Sequence, residues 1–456
     1  MKEQTFRFGV GMSSYQVEGA FGRSPSIWDE LSQRKGAIKD GSDASLADDF
    51  YHRYKEDIRL SKELGIQDFR LSFSPTRFFD ENGNETVEGI HFYQEVIQEI
   101  LRNGLRPVVT LYHWDLPCYL EKKGGFTSPE IVSFFTRYAE IVAEHFSSLV
   151  SSFITFNEPQ CFLGIGYQRR DHAPSTYHTF EEMKRATHHV LLAHAHMYQV
   201  LKRANPHCEV SFVNTMNVPL PINDNPLLLE KCRQKLFSIP KDETDFYSIS
   251  IYLDPLVKGY YPEGFLPDNI KEGDLEFIQK SRPDYLGLNI YTGTYFTLDE
   301  KNQLVESSHV EKEEESDLFW LKRRPGSLYY GPKFFYERYH LPLVITENGG
   351  CYRDNLEEGQ IHDTKRVLYL TSYLDSLKKA IEDHIDIRGY YYWSLLDNFE
   401  WAEGLSKRFG LLYVDYKDNL KRYRKDSFYA YRNIIKHWNQ KEQDHSQAVI
   451  LFFRFL

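Results

Sequence analysis

Two short apolar runs in this chain each end in a carboxylate: Phe153-Ile154-Thr155-Phe156-Asn157-Glu158-Pro159 and Leu343-Val344-Ile345-Thr346-Glu347-Asn348-Gly349. A charged group placed where an apolar run stops is costly to desolvate, so two of them imply one cleft holding a paired acid and nucleophile. Other strand-like runs also finish in groups that hydrogen-bond or stack. The first leads to Gln16, the second contains Arg70, and the third ends in His113-Trp114-Asp115. The sixth holds Asn289 and Tyr291, and the eighth ends in Trp393. One polar strand end is an ordinary helix cap, but so many together call for a shared purpose. Two glutamates among amide, imidazole, indole and hydroxyl groups suit the opening of a glycosidic bond. One carboxylic acid protonates the leaving oxygen while the other carboxylate attacks the anomeric carbon.

The elements that must position these groups recur regularly. Apolar runs of strand length lie at 6–12, 67–74, 107–113, 152–157, 209–215, 285–291, 343–347 and 388–394. Most are separated by stretches of helical periodicity, at 47–64, 90–101, 129–146, 183–204 and 365–381. In 90–101, for example, Ile90, Tyr93, Ile97, Ile100 and Leu101 return at three- and four-residue steps before Gly104. Eight strands alternating with helices predict an α/β fold, most simply a single (β/α)8 TIM barrel with extended loops at its C-terminal face; a doubly wound open sheet is the runner-up. In a barrel, the ends of the fourth and seventh strands face one another across the mouth, which would bring Glu158 and Glu347 together. The proline-rich connection 217–282 reads as inserted loops and short helices rather than a separate domain. The charged run 311–315 reads as a solvated loop, and the apolar tail 439–456 as a segment that packs on the barrel or on a second chain.

Composition narrows the classes. With 456 residues, 41% hydrophobic and 15% aromatic, the chain can bury a large core. Its net charge of -11 opposes nucleic acid or an anionic membrane as a partner, and a neutral small molecule fits better. The start shows no signal peptide, and no apolar run approaches the roughly 18 residues of a membrane span, so a cytoplasmic location is expected. Five scattered cysteines without a CxxC pair argue against disulfides and thiolate metal sites. His188-His189 and His194-X-His196 fall on one expected helix. No HExxH spacing appears, and Leu192 and Ala193 occupy the next turn, so helix packing is the better reading and no cofactor is expected. A GxSxG elbow is also absent.

Several segments together resemble the glycoside hydrolase family 1 enzymes, the β-glucosidase and β-galactosidase family. They are Ser13 to Ala20, His113-Trp114-Asp115-Leu116-Pro117, Thr155 to Pro159, Leu288-Asn289-Ile290-Tyr291, Ile345 to Gly349, and Tyr392 to Trp401. They stand in family order from about residue 6 to 438. The resemblance implies a retaining exo-β-glycosidase with Glu158 as general acid/base and Glu347 as nucleophile. It further implies Arg70 and Asn289 as catalytic support. Gln16, His113, Trp114, Asn157, Tyr291, Trp393, Glu400, Trp401 and Phe409 would bind substrate, and Trp320 would stack with the leaving group. The implied ligand is a β-glycoside or short oligosaccharide. Some positions depart from the family pattern: Gln160 and Pro75 stand where tryptophans are usual, Arg323-Arg324 where Tyr-Pro is, and Asp171 where glycine is.

Two alternatives stay open at this stage. Phosphoglycosidases of the family resemble the rest but replace the acid at position 400 and seat a sugar phosphate with a Lys and a Tyr. Here Lys407 is present, but Phe409 lacks the phenol and Glu400 would repel a phosphate dianion. A non-catalytic sugar-binding member is the other alternative; both acids being present argues against it. The sequence leaves the oligomeric state undecided, with a homo-oligomer among the options.

Overall fold

The structure, a computed structural model, describes residues 6–242, 246–307 and 316–438. The expectations for 311–315 and for the tail 439–456 lie outside the described residues.

All eight expected strands form: β1 (Arg7–Gly11), β2 (Asp68–Ser72), β3 (Arg106–Tyr112), β4 (Ser152–Asn157), β5 (Glu209–Pro221), β6 (Tyr285–Leu298), β7 (Leu343–Asn348) and β8 (Ile387–Trp393). Each pairs in parallel with its sequence neighbour, and β8 pairs in parallel with β1, so the sheet closes on itself as a (β/α)8 barrel. Helices cover the outside, which is why β2, β4 and β7 are buried at every residue rather than at alternate ones. The expected helices are present as Phe50–Lys62, Val87–Arg102, Glu130–Phe146, Phe180–Ala204 and Thr364–Glu382. Inside the barrel, Val108, Ile154, Val213, Tyr285, Val344 and Tyr391, one from each of β3 to β8, pack as one apolar cluster. This packed floor leaves only the C-terminal mouth for chemistry.

Two strands run longer than the sequence suggested. β5 continues through Pro221 and β6 through Leu298, and they stay paired in parallel from Ser211↔Tyr285 to Pro221↔Phe296. The connection 217–282 therefore begins as strand rather than loop. Pro219 and Pro221 read as breakers but are tolerated, because β4 pairs with β5 only as far as Val213. Beyond that point β5 is an edge with one neighbour, where a missing N–H costs no ladder bond. The rest of the connection holds the short helices Pro226–Leu236, Ser250–Lys258 and Asp274–Lys280, as expected.

The register shifts where the strands reach the mouth. Irregularities fall between Ile154 and Asn157, between Leu288 and Asn289, and between Ile345 and Asn348. Such shifts re-aim side chains, and here they sit beside the polar strand ends.

Candidate active site

Glu158 follows the last residue of β4 with its backbone in the left-handed region, φ 52°. Its N–H is held by the carbonyl of Val213. Trp114 after β3 (φ 79°) and Trp401 in the loop after β8 (φ 49°) share that uncommon conformation. Three such non-glycine residues around one mouth mark a place where neighbouring structure dictates the backbone. Glu347 lies within β7, whose close approach to β8 requires the next glycine: a Cβ on Gly349 would meet the Trp393 carbonyl oxygen at 1.8 Å.

The two glutamates are 5% and 3% exposed and belong to one hydrogen-bonded network. Arg70, buried on β2, donates from Nη1 to Glu347 Oε1 at 2.6 Å and from Nη2 to Asn157 Oδ1 at 2.7 Å. Tyr291 donates its hydroxyl to Glu347 Oε2 at 2.6 Å. Asn289 Nδ2 donates to Glu158 Oε1 at 2.6 Å and to Asn157 Oδ1 at 3.1 Å. Thr346 Oγ1 is 2.7 Å from Asn289 Oδ1.

The electrostatics separate the pair. Burial, reinforced by the charge of Glu347, pushes the Glu158 carboxyl up to about 8, against the hydrogen bonds from Asn289 and Cys161. Burial also raises Glu347, but the Arg70 charge and the Tyr291 hydroxyl draw it back. Of two neighbouring buried carboxyls, the one without the guanidinium holds a proton more readily. The surroundings therefore favour the proton on Glu158 and the charge on Glu347.

The remaining expected residues surround this pair. His113 Nε2 lies 3.2 Å from Asn157 Nδ2. Its imidazole stacks with Trp393 at 5.6 Å and with Trp401 at 6.0 Å. Burial and the Arg70 charge drive the His113 pKa well down, so the ring is neutral: Nε2 accepts from Asn157 and the proton sits on Nδ1. That Nδ1 is buried without a protein partner among the described residues. Trp114 spends its indole N–H on the Asn157 carbonyl, 2.9 Å, and packs against Trp401 at 4.5 Å; it offers the pocket only ring surface. Gln16, on the short helix after β1, donates to the Phe399 carbonyl at 2.9 Å and reaches Glu400 Oε2 at 3.4 Å. Burial and then the Glu347 charge push Glu400 up to about 8. On the other flank, Tyr291 meets the edges of Trp320 at 5.9 Å and Phe409 at 6.0 Å. Phe409 is buried, whereas Trp320 is 41% exposed and belongs to the outer rim.

The structure places three of the departures from the family pattern. Gln160 is fully buried, donating to Asn214 Oδ1 at 2.7 Å and to the Ser248 carbonyl at 3.2 Å. Pro75 is buried at the start of a one-turn helix. In the segment before His172, the residue with glycine-like backbone is Arg170, φ 64°, rather than Asp171. Sequence reasoning did not single out Thr346, and Cys161 only as a scattered cysteine. The available signal for Thr346 was a polar side chain inside an apolar strand.

The histidines singled out earlier serve packing. His188 bonds to Tyr261 and Asp274, His189 to the Phe126 carbonyl and Asn269, and His194 to Thr155 and the Ser281 carbonyl. Among the described residues no group of three or more His, Cys, Asp or Glu could hold a metal ion. Nor is any helix among them long and apolar enough to cross a membrane.

Comparison with known proteins follows the same outline. The model of glycosyl hydrolase family 1 matches residues 2–440. The chain is 36% identical over 444 residues to beta-glucosidase A of Thermotoga maritima, covering 94% of this chain and 97% of that one. It is 35% identical over 468 residues to a bifunctional beta-D-glucosidase/beta-D-fucosidase of Bifidobacterium breve, with coverage of 94% and 97%. The solved family 1 β-glucosidase from Thermotoga maritima superposes with a TM-score of 0.85 at 34% identity, covering 97% of this chain and 99% of that one. The complex of the Thermotoga maritima β-glucosidase with glucoimidazole gives 0.84 at 35% identity, with coverage of 95% and 98%.

Proposed function

Because the chain belongs to glycosyl hydrolase family 1 and is a β-glucosidase-type glycoside hydrolase, we propose that it is a retaining exo-β-glycosidase acting on unphosphorylated β-D-glucosides. The observation that carries this reading is the unequal treatment of the two buried carboxyls. Glu347 is gripped by a guanidinium and a phenol, whereas Glu158 has only burial, an amide and a thiol.

In the first step Glu347 attacks the anomeric carbon while Glu158 gives its proton to the departing oxygen. The C1–O bond breaks, a C1–Glu347 ester forms, and the leaving group departs as an alcohol. In the second, Glu158, now charged, takes a proton from water whose oxygen attacks C1 and frees Glu347. Arg70 and Tyr291 hold Glu347 in place for attack, and they accept it back as a leaving carboxylate. Asn157, fixed by Arg70, Asn289 and Trp114, would meet the sugar 2-hydroxyl. His113 and Gln16 would bind further hydroxyls, with Trp393 as an apolar platform.

Glu400 bears on the glycone. A third carboxyl, close enough to feel both Glu347 and Glu158, offers a phosphate dianion no positive charge and repels it once ionised, so 6-phosphoglucosides are disfavoured. Tolerance of fucosides is supported by the Bifidobacterium breve relative, a bifunctional beta-D-glucosidase/beta-D-fucosidase. The test is turnover of p-nitrophenyl β-glucoside beside the galacto-, fuco- and 6-phospho-substrates, with azide added to a Glu347→Gly variant. The expected product is the α-glycosyl azide; a β-azide, or 6-phospho turnover above that of the glucoside, would overturn the reading.

A further inference from the structure

The chain of hydrogen bonds behind the two glutamates has a fixed polarity. Asn157 Oδ1 accepts from Arg70, which can only donate, so Asn289 must present its Nδ2 there as well. The same Nδ2 then faces Glu158 Oε1 at 2.6 Å, and Asn289 Oδ1 is turned the other way, toward the Thr346 hydroxyl at 2.7 Å. Thr346 is fully buried in β7, and its hydroxyl is the donor placed to satisfy that oxygen. The room for it is made by Gly287 on the facing strand β6. A Cβ there would stand 3.0 Å from Thr346 Cγ2 and 3.1 Å from Oγ1, and 2.5 Å from a methyl of Val213.

We infer that Thr346 is a positioning residue for proton transfer: by holding Asn289 Oδ1 it keeps the Asn289 amide donating to Glu158 Oε1, so the proton of the acid resides on Oε2. An oxygen that accepts a short bond from an amide is a poor site for a proton, which leaves the other oxygen to carry it toward the leaving group. With the hydroxyl removed, Asn289 Oδ1 would be buried without a donor. The amide would then hold Glu158 less firmly. The inference rests on the assignment of Glu158 as acid, and a wild-type enzyme inactive on p-nitrophenyl β-glucoside would remove that assignment itself.

The test on active wild type compares Thr346→Val, close in shape, with Thr346→Ser, which keeps the hydroxyl. For Thr346→Val, kcat/KM on cellobiose should fall about tenfold, with little change on 2,4-dinitrophenyl β-glucoside, whose leaving group needs no proton. Because the Asn289 bond favours the charged form of Glu158, its weakening should also move the basic limb of the kcat/KM profile to higher pH. Thr346→Ser should restore both. If Thr346→Val does not fold, Thr346→Ala carries the same comparison. Equal losses on both substrates with the basic limb in place, or no loss on either, would overturn the inference.

Discussion

At the scale of residues, Glu158 and Glu347 share burial and differ in partners, and that difference has measurable consequences. Glu347→Gln keeps the volume but removes the attacking oxygen anion, so turnover should vanish for every leaving group. Glu158→Gln should cost about 10²–10⁴-fold in kcat/KM where the leaving oxygen must be protonated and far less for dinitrophenolate. Rates on alkyl and dinitrophenyl glucosides separate the two variants. The pH profile should follow from the same chemistry. The first step needs protonated Glu158, so kcat/KM should fall as pH rises through about 8; a profile flat to pH 10 would contradict the assignment. Which carboxyl was which could not be read from local spacing, since both strands end alike. The asymmetry comes from Arg70 and Tyr291, which are 277 and 56 residues from Glu347 in the chain.

At the scale of elements, strand ends were legible because an apolar run interrupted by a polar residue is visible in one dimension. The prolonged β5 and β6 were not, since Pro219 and Pro221 carry the signature of a turn, and only an edge position makes them acceptable. Equally hidden was the device holding the loop after β8, which carries Glu400 and Trp401. Asp397 in that loop receives Arg408 at 2.5 Å, Lys425 at 2.6 Å and the Gly410 N–H at 3.0 Å. Lys425 also pairs with Asp354 at 2.5 Å, and Arg366 joins Asp354 to Asp363. Asp397, Lys425, Arg366 and Asp363 are buried. Removing one member leaves an uncompensated buried charge, so Lys425→Met should destabilise the fold by about 3–5 kcal/mol. Since the glycone contacts proposed for Glu400 and Trp401 lie in that loop, KM should rise in any folded fraction more than kcat falls. Urea melts and steady-state kinetics on the same preparation check both; a neutral result would mean that the network braces nothing.

At the scale of the whole molecule, the site works against the fold. Glu158 and Glu400 are pushed up to about 8, Glu121 to about 7 and Asp115 to about 6, in each case chiefly by burial. A carboxyl whose folded pKa is raised binds more protons folded than unfolded, so its destabilising charge develops as pH rises from the unfolded value to the folded one. On their account stability should therefore be lost progressively from about pH 4.5 to about pH 8. Buried histidines act oppositely. His194, which ties the helix Phe180–Ala204 to β4 through Thr155, is lowered to about 4 by burial, as is His172. Their charging favours the unfolded chain as pH falls from about 6.5 to about 4, worth about 3 kcal/mol for a fully buried ring. The two slopes oppose one another below about pH 6.5, and above it only the carboxyl slope remains, so stability should fall from there to pH 8. Replacing the proposed acid should flatten that alkaline loss: Glu158→Gln, expected to be almost inactive on poor leaving groups, should be more stable than wild type by roughly 1–2 kcal/mol at pH 8, with a smaller gain at pH 5. Urea unfolding of both proteins across that range decides the matter, because a gain independent of pH would assign the effect to packing instead of to the charge that catalysis requires.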